Sequence, residues 1–292
     1  MKELVVISGK GGTGKTTITA ALASLINDKV MADCDVDAAD LHLIFDPDIK
    51  KQTDFYGGKL ATIRSEDCIS CGKCLEVCQF DAVSEDFIID PIACEGCGVC
   101  AWFCPAEAID FKEHQNGYMY ESETRFGPFV HAKLGIAEEN SGKLVTLVRK
   151  KAKEIAQKNN FEYTIIDGSP GVGCPVISSI AGSNAVLIVT EPTKSGIHDL
   201  ERVSQLSRTH FGIPTFVCVN KFDINIDMTK KIKDYCEEND LIFAGKIPYD
   251  TSITKAMVQG KNIFEYSSPV VEETIRSMWT IIQESLKNEK AD

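Results

Sequence analysis

Residues 9–17, with the sequence GKGGTGKTT, have the types and spacing of a phosphate-binding loop. The glycines let the backbone adopt positive φ and turn its N–H groups toward an anion. Lys15 would then reach the β- and γ-phosphates of a nucleotide, and Thr16 would offer its hydroxyl to Mg²⁺. The loop residues predicted to bind nucleotide are Gly11, Gly12, Thr13, Gly14, Lys15, Thr16 and Thr17.

A second chemical pattern is a repeated cysteine motif, C-x-x-C-x-x-C-x-x-x-C. The first copy contains Cys68, Cys71, Cys74 and Cys78, and the second, 26 residues later, contains Cys94, Cys97, Cys100 and Cys104. The motif resembles that of bacterial two-cluster ferredoxins, in which three thiolates of one copy and the last of the other bind one cluster. The predicted [4Fe–4S] ligands are Cys68, Cys71, Cys74 and Cys104 for cluster 1, and Cys94, Cys97, Cys100 and Cys78 for cluster 2. Zinc is the competing metal, but zinc sites do not require this spacing twice.

The cysteine segment, residues 60–112, is too small to bury much apolar surface, so we expect its stability to depend on the clusters. Gln79 stands where Pro105 follows the last cysteine of the second copy, which predicts different surroundings for the two clusters. Trp102 and Phe103 lie between two ligands, and we interpret them as core packing around the clusters, with a role in an electron path as the alternative.

Acidic residues follow two predicted strands. Residues 33–37, DCDVD, follow the short strand 29–32, and Asp167 ends the apolar strand 163–166. Ligands of open parallel sheets bind at the carboxyl edge, so these carboxylates can face the phosphates. Asp167 has the position of a Walker B acid, which holds the Mg²⁺ shell through water, and the glycine-rich segment 168–173 suits a switch loop.

The loop GKGGTGKTT resembles the deviant Walker A motif of the MinD, ParA and nitrogenase iron protein class of ATPases. The resemblance implies that Lys10 crosses a dimer interface to the partner's nucleotide in an ATP-sandwich homodimer. It also implies that Asp35 is the switch I aspartate that positions the attacking water, with Asp33 beside it in the metal shell. An acidic loop without a catalytic part remains the alternative.

Cys174, seven residues after Asp167, matches the spacing of a nitrogenase iron protein cysteine that binds a cluster shared across the dimer. The resemblance makes Cys174 a candidate additional cluster ligand, while a buried free thiol is the favoured interpretation. The cysteines Cys34, Cys218 and Cys236 are interpreted as small apolar residues.

The base of the nucleotide would lie near the sequence NKFD, which begins at Asn220. An NKxD sequence reads guanine in GTPases, but in the MinD class the asparagine at this place contacts adenine. The segment Pro248-Tyr249-Asp250 resembles the second base-lining loop of that class. The resemblance therefore favours ATP over GTP, with Pro248 and Asp250 near the base.

The whole chain has 292 residues, 43% of them hydrophobic, and a net charge of −12, which argues against general binding to nucleic acid. No apolar run approaches the roughly 20 residues that span a bilayer. Twelve cysteines without a signal peptide indicate metal or redox chemistry in a cytoplasmic protein. The amphipathic pattern over 270–286 predicts a helix that packs on the sheet rather than a membrane anchor.

Alternating strands and helices predict an α/β fold, with a mainly parallel sheet flanked by helices as in P-loop NTPases. The pattern is interrupted from about Asp46, returns as strands from 117 to 135 and continues with a helix over 140–159. We predict a discontinuous ATPase domain, residues 1–59 and 113–292, with a two-cluster ferredoxin-like domain inserted at 60–112.

Three functions fit these motifs. The leading hypothesis is an ATP-hydrolysing iron–sulfur protein that delivers electrons or clusters to a partner. The alternatives are a scaffold or carrier for cluster assembly, and a MinD- or ParA-type positioning ATPase whose clusters sense redox state. The predicted cofactors are ATP, Mg²⁺ and two [4Fe–4S] clusters.

Overall fold

A computed structural model describes residues 1–135 and 141–288 of the chain. Its strands are β1 (Lys2–Ser8), β2 (Lys29–Asp33), β3 (Asp48–Ile63), β4 (Ile109–Thr124), β5 (Gly127–Leu134), β6 (Tyr163–Pro170), β7 (Ala185–Thr190), β8 (Thr215–Asn220) and β9 (Ile242–Ile247). Its helices are α1 (Lys15–Leu25), α2 (Leu41–Phe45), α3 (Lys73–Val77), α4 (Val99–Trp102), α5 (Ser141–Lys158), α6 (Cys174–Ile180), α7 (Lys194–Ser204), α8 (Ile226–Glu238), α9 (Thr251–Val258), α10 (Ile263–Tyr266) and α11 (Pro269–Asn288). A π-helical turn, Gln205–His210, continues α7, and a 3₁₀ turn, Phe222–Ile224, follows β8. The helix predicted over 140–159 is observed as α5, and Asn140 lies outside the described residues.

The chain forms two compact units. The first contains Met1–Gln52, Tyr120–Ala132 and the chain from Ser141 onward. The second contains Thr53–Met119 and a short segment that begins at Lys133, and it includes all eight motif cysteines.

The first unit is built on a sheet in which seven neighbouring strands, in the order β5-β2-β6-β1-β7-β8-β9, pair in parallel. The central strand β1 places Leu4 beside Ile165 of β6 and beside Ala185 of β7. Every residue of β7 and β8 is buried. Because neighbouring residues of a strand point to opposite faces, both faces of the sheet are covered. The predicted α/β fold with a mainly parallel sheet is confirmed.

The terminal helix α11 packs its apolar stripe into the core. The stripe consists of Val271, Ile275, Met278, Ile282 and Leu286, each at most 2% exposed. Among the described residues, no helix is both long and apolar enough to cross a membrane.

The strands β3 and β4, each 16 residues long, were only partly predicted from the sequence. The first seven residues of β3 are all exposed, so no alternation of apolar and polar residues marks this strand. Within the second unit, Asn116 Oδ1 accepts hydrogen bonds from the N–H groups of Gly57 and Gly58, at 2.7 and 2.8 Å. This side chain fixes a glycine pair that by sequence alone is typical of a turn.

His131 of β5 gives the first unit a pH-dependent stability. Its ring is buried and stacks on Phe129, with 4.6 Å between ring centroids, and on Tyr120, at 4.9 Å. Burial, with a smaller contribution from His42, lowers the pKa of His131 to about 4. Between pH 4 and 6.5 the unfolded chain therefore binds a proton that the folded chain does not.

We expect acidification from pH 7 to 5 to lower the free energy of unfolding by about 2 kcal/mol through this group, because stability rises with pH across that window. Urea titrations at both pH values should show the loss in the wild type. His131→Gln should remove this contribution, and His198→Gln, an exposed histidine, should retain it. An unchanged pH dependence in His131→Gln would contradict the assignment.

Candidate functional site

The phosphate loop is held against the end of β8. Gly14, the residue before α1, has φ of 93°, and a Cβ atom there would lie 2.3 Å from Nδ2 of Asn220. The same Nδ2 atom donates a hydrogen bond of 2.8 Å to the carbonyl oxygen of Thr13. Glycine is therefore required at position 14 both by the backbone conformation and by the close approach of Asn220.

The ammonium group of Lys15 meets the two predicted catalytic carboxylates. Its Nζ atom lies 3.0 Å from Oδ1 of Asp167 and 3.2 Å from Oδ2 of Asp35, and the Lys15 residue is only 5% exposed. Asp167 is fixed further by the hydroxyl groups of Thr16, at 2.8 Å, and Thr19, at 2.9 Å. The structure thus brings together residues from β6, from α1 and from the loop after β2.

The acidic loop after β2 is shaped by Asp33, which is completely buried. One oxygen of its carboxylate accepts a hydrogen bond from the N–H group of Asp35, at 3.0 Å, and the other from that of Leu41, at 3.3 Å. These bonds hold the loop so that Asp35 reaches Lys15. Asp33 therefore positions Asp35, which the sequence indicated only through resemblance.

The negative charges around Lys15 outnumber its single positive charge. Burial alone would lower the pKa of Lys15, but the fields of Asp167, Asp35 and Asp33 outweigh burial and raise it. Burial raises the pKa of Asp33 and of Asp35, and Asp167 raises both further. Three carboxylates around one ammonium group leave an excess of negative charge, and oxygen ligands are those that Mg²⁺ prefers. This excess of negative charge and the neighbouring oxygen donors of Thr16 and Asp167 fit a Mg²⁺ ion that keeps several of its water ligands.

A cavity of about 480 Å³ extends from the phosphate loop toward the carboxyl ends of β8 and β9. The predicted nucleotide residues that line it are Gly11, Gly12, Gly14, Lys15, Thr16, Thr17, Asp35, Asn220, Pro248 and Asp250. Thr13 is buried and does not line the cavity. The cavity joins the predicted phosphate and base positions in one space.

Two of the predicted base-contacting residues already have partners in the protein. Besides its bond to Thr13, Asn220 accepts a hydrogen bond of 3.0 Å from the N–H group of Lys221. The carboxylate of Asp250 accepts hydrogen bonds from the N–H group of Ser252, at 2.7 Å, and the hydroxyl of Ser268, at 2.5 Å. Both residues thus stabilise the wall of the cavity.

The side chain of Lys10 lies near the start of α7 and the residues that precede it. Its Nζ atom lies 3.1 Å from Oγ of Ser195 and 3.7 Å from Oε2 of Glu191. Glu191 also pairs with Lys221, at 2.6 Å. Thr19 and Glu191 were missed in the sequence; only the spacing of Thr19 four residues after Lys15, on the same face of α1, could have indicated a role.

The eight motif cysteines of the second unit line two small cavities. The first cavity is lined by Cys68, Cys71, Cys74 and Cys104, and the second by Cys78, Cys94, Cys97 and Cys100. Each cavity therefore takes three cysteines from one motif and the last cysteine of the other. Apolar side chains complete the lining, including Ile63 and Ile109 in the first cavity and Val83 and Ile89 in the second.

The two quartets fit iron–sulfur cubanes, because each presents four thiols around a cavity with apolar walls. Burial raises the pKa of Cys100, and the neighbouring thiols of both motifs raise it further. Among the described residues, no three His, Cys, Asp or Glu side chains are placed to hold a single metal ion.

Two interpretations from the sequence are wrong. Trp102 is 88% exposed and Phe103 is 54% exposed, so neither packs in a core around the cluster cavities. Cys174 is exposed at the start of α6 and is therefore not a buried thiol. The remaining cysteines, Cys34, Cys218 and Cys236, are buried as predicted.

Comparison with known proteins agrees with this geometry. The model of the CobQ/CobB/MinD/ParA nucleotide-binding domain matches residues 4–263. The chain belongs to this family. The uncharacterized protein MJ0578 of Methanocaldococcus jannaschii is 37% identical to this chain over 286 residues, which cover 97% of this chain and 96% of that protein.

The cysteine-rich segment has a separate relative. A 7Fe ferredoxin of Hydrogenibacillus schlegelii is 38% identical over 55 residues, which cover 17% of this chain and 70% of that ferredoxin. The chain therefore combines a MinD/ParA-type domain with a ferredoxin-like segment.

The fold also resembles solved structures. MinD of Pyrococcus horikoshii, solved as a complex with Mg-ADP, superimposes with a TM-score of 0.58 at 16% identity, covering 96% of this chain and 95% of that one. At this identity the likeness indicates a common fold.

Proposed function

We propose that this family member is a Mg²⁺-dependent ATPase whose nucleotide state controls electron transfer from two [4Fe–4S] clusters to a partner protein. The observation that carries the proposal is that one chain contains two cysteine quartets and, beside a phosphate loop, a buried group formed by Lys15, Asp35 and Asp167 (the Lys15 group). The clusters would occupy the domain formed by residues 60–112, inserted between residues 1–59 and 113–292 of the ATPase domain.

The ATPase site has the parts that phosphoryl transfer needs. Lys15 and the N–H groups of the loop would neutralise the phosphates, and Asp35 would orient the attacking water. Mg²⁺, held by Thr16 and through water by Asp167, would offset the charge that develops on the phosphate oxygens. Asp167 is preorganised for this role because Thr16 and Thr19 already fix its two oxygens.

ATP rather than GTP is the proposed nucleotide. Asp223, the acid of the NKFD sequence, accepts a hydrogen bond of 2.7 Å from the N–H group of Tyr249 through Oδ1. In GTPases this acid reads guanine, so its engagement with the protein wall favours adenine. Adenine would lie between Asn220 and Pro248.

Lys10 supports a homodimer as the hydrolysing form. Within one chain it pairs with Ser195 and Glu191 and does not reach the Lys15 group. In an ATP-sandwich homodimer, Lys10 would bind the nucleotide of the partner subunit instead of pairing with Glu191.

Cluster delivery is the second candidate function. It is favoured by the exposed thiol of Cys174, which begins α6 directly after the glycines of the proposed switch loop. A third cluster bound there between two copies would be available for transfer to another protein.

The experiment is to purify the protein without oxygen, count iron and sulfide, and measure ATP hydrolysis with the clusters oxidised and reduced. We expect about eight irons per chain and a rate that changes with reduction. Iron that moves to an apo-ferredoxin on addition of ATP would favour delivery instead. Colourless, iron-poor protein would exclude both functions.

A further inference from the structure

The internal duplication of the second unit allows α3 and α4 to be compared position by position. Both helices follow a glycine in the left-handed region, Gly72 with φ of 77° and Gly98 with φ of 75°. Each helix lies between the second and fourth cysteines of its motif. The two helices are therefore equivalent elements, and differences between them are not imposed by cluster binding.

The two copies differ most in polarity on the exposed side. In α3, Lys73 and Glu76 form an ion pair of 3.0 Å, and the Glu76 side chain is 70% exposed. The positions that correspond to them in α4 are Val99 and Trp102. The first copy thus shows that this position faces solvent, and the second copy places a tryptophan there that is 88% exposed.

An exposed tryptophan beside the half-exposed Phe103 is unfavourable in water and does not contribute to the core. Tryptophan is one of the residue types that are enriched among the energetically important anchors of protein interfaces. Since packing does not require Trp102, its position indicates a contact with another molecule.

Trp102 also has a special place relative to the clusters. It lies two residues after Cys100 and two residues before Cys104. Cys100 lines one cluster cavity and Cys104 lines the other. A protein that covers Trp102 would therefore lie beside ligands of both clusters.

The net charge of residues 60–112 indicates which kind of partner this segment would bind. Residues 60–112 contain ten acidic and three basic residues, and the basic side chains are all engaged in ion pairs: Arg64 with Asp67 and Asp110, Lys112 with Asp110, and Lys73 with Glu76. Within the described part of the chain, seven exposed carboxylates of this segment are in none of these ion pairs: Glu66, Asp81, Glu85, Asp86, Asp90, Glu95 and Glu107. A partner with a basic face would complement this surface.

We propose that Trp102, with Phe103, is the anchor by which the cluster segment docks a basic electron-transfer protein. The inference rests on the proposed redox function. In the docked complex one electron leaves a reduced [4Fe–4S]⁺ cluster, which returns to the 2+ state, and reduces a one-electron acceptor of the partner. No bond forms or breaks in the step.

The probe for this surface is ferricytochrome c, a basic one-electron acceptor. Its affinity for the oxidised holoprotein can be measured by calorimetry at low ionic strength, where no electron moves. We expect Trp102→Gln to weaken binding about tenfold. The control Ile88→Gln, which removes another exposed apolar side chain of the same segment, should change binding less than twofold. High salt should weaken the wild-type complex.

Rates of electron transfer separate this inference from the proposed function. The dithionite-reduced wild type should reduce both cytochrome c and a small neutral quinone, and Trp102→Gln should slow only the former. A wild type that reduces neither acceptor would overturn the proposed function. Equal binding and equal rates for Trp102→Gln and the wild type would overturn the docking surface alone. A dimer that dissociates in Trp102→Gln would also overturn it, because the face would then bind a second copy.

Discussion

Lys15→Ala is expected to reduce ATP hydrolysis by about 10²- to 10³-fold, because the substitution removes a preorganised positive charge from the phosphates. It is also expected to destabilise the first unit. Lys15 is buried between Asp35 and Asp167, and Asp33 lies in the same group. Removing the ammonium group leaves the buried carboxylates of Asp35 and Asp167 without their ion-pair partner, which costs about 3 kcal/mol.

Both effects are measurable on one preparation, by a phosphate-release assay and by urea unfolding. Added Mg²⁺ should restore part of the lost stability, since a divalent cation can replace the missing positive charge among the carboxylates. Iron content should stay at the wild-type value, because the cysteine quartets lie in the other unit.

Lys10→Ala is the matched control. The Lys10 side chain is 37% exposed and lies 3.7 Å from Glu191, so its removal should change stability by less than about 0.5 kcal/mol. If Lys10 acts across a dimer interface, this variant also loses hydrolysis while retaining its stability. Unimpaired hydrolysis by Lys15→Ala would exclude the proposed site.

The sequence predicted those parts of the site in which local chemistry determines position. The phosphate loop needs glycine, lysine and threonine at fixed offsets, so Lys15 and Thr16 could be placed without a structure. Asp167 could be placed because it directly follows the mostly apolar residues 163–166, although the strand β6 continues beyond it to Pro170. The cysteine motif likewise indicated which thiols share a cavity, through its resemblance to bacterial two-cluster ferredoxins.

Contacts between distant segments could not be predicted in this way. Asn220 holds the loop at Thr13, 207 residues away, and no local pattern marks that contact. Burial was also predicted wrongly where the prediction depended on the residue type alone. Trp102 was interpreted as core because tryptophan is usually buried, whereas the equivalent Glu76 of the first motif copy correctly indicates a position in solvent.

Each cluster is assigned to three cysteines of one motif and the last cysteine of the other motif. Replacing one of these ligands is therefore expected to cause a large loss of iron. Cys104 lines the same cavity as Cys71, although 33 residues separate them, while the nearer Cys97 lines the other cavity. Cys104→Ala should therefore remove one cluster and lower the iron content from about eight to about four per chain.

Double variants determine which cluster is lost. Cys71→Ala combined with Cys104→Ala removes two ligands of one quartet and should leave about four irons. Cys97→Ala combined with Cys104→Ala removes one ligand from each quartet and should leave almost none. Cys71 and Cys97 are equivalent in the repeat and both exposed, so the two double variants differ only in which cavity loses a thiol.

Iron and sulfide counts with spectra of the reduced clusters would give the result. The opposite order, with the Cys97 pair retaining iron and the Cys71 pair losing it, would mean that each motif binds its own cluster. Because the segment has little core of its own, loss of both clusters should also unfold it. Proteolysis within residues 60–112 should then accelerate in the Cys97 pair while the nucleotide-binding unit stays intact, which links the metal content of the segment directly to its fold.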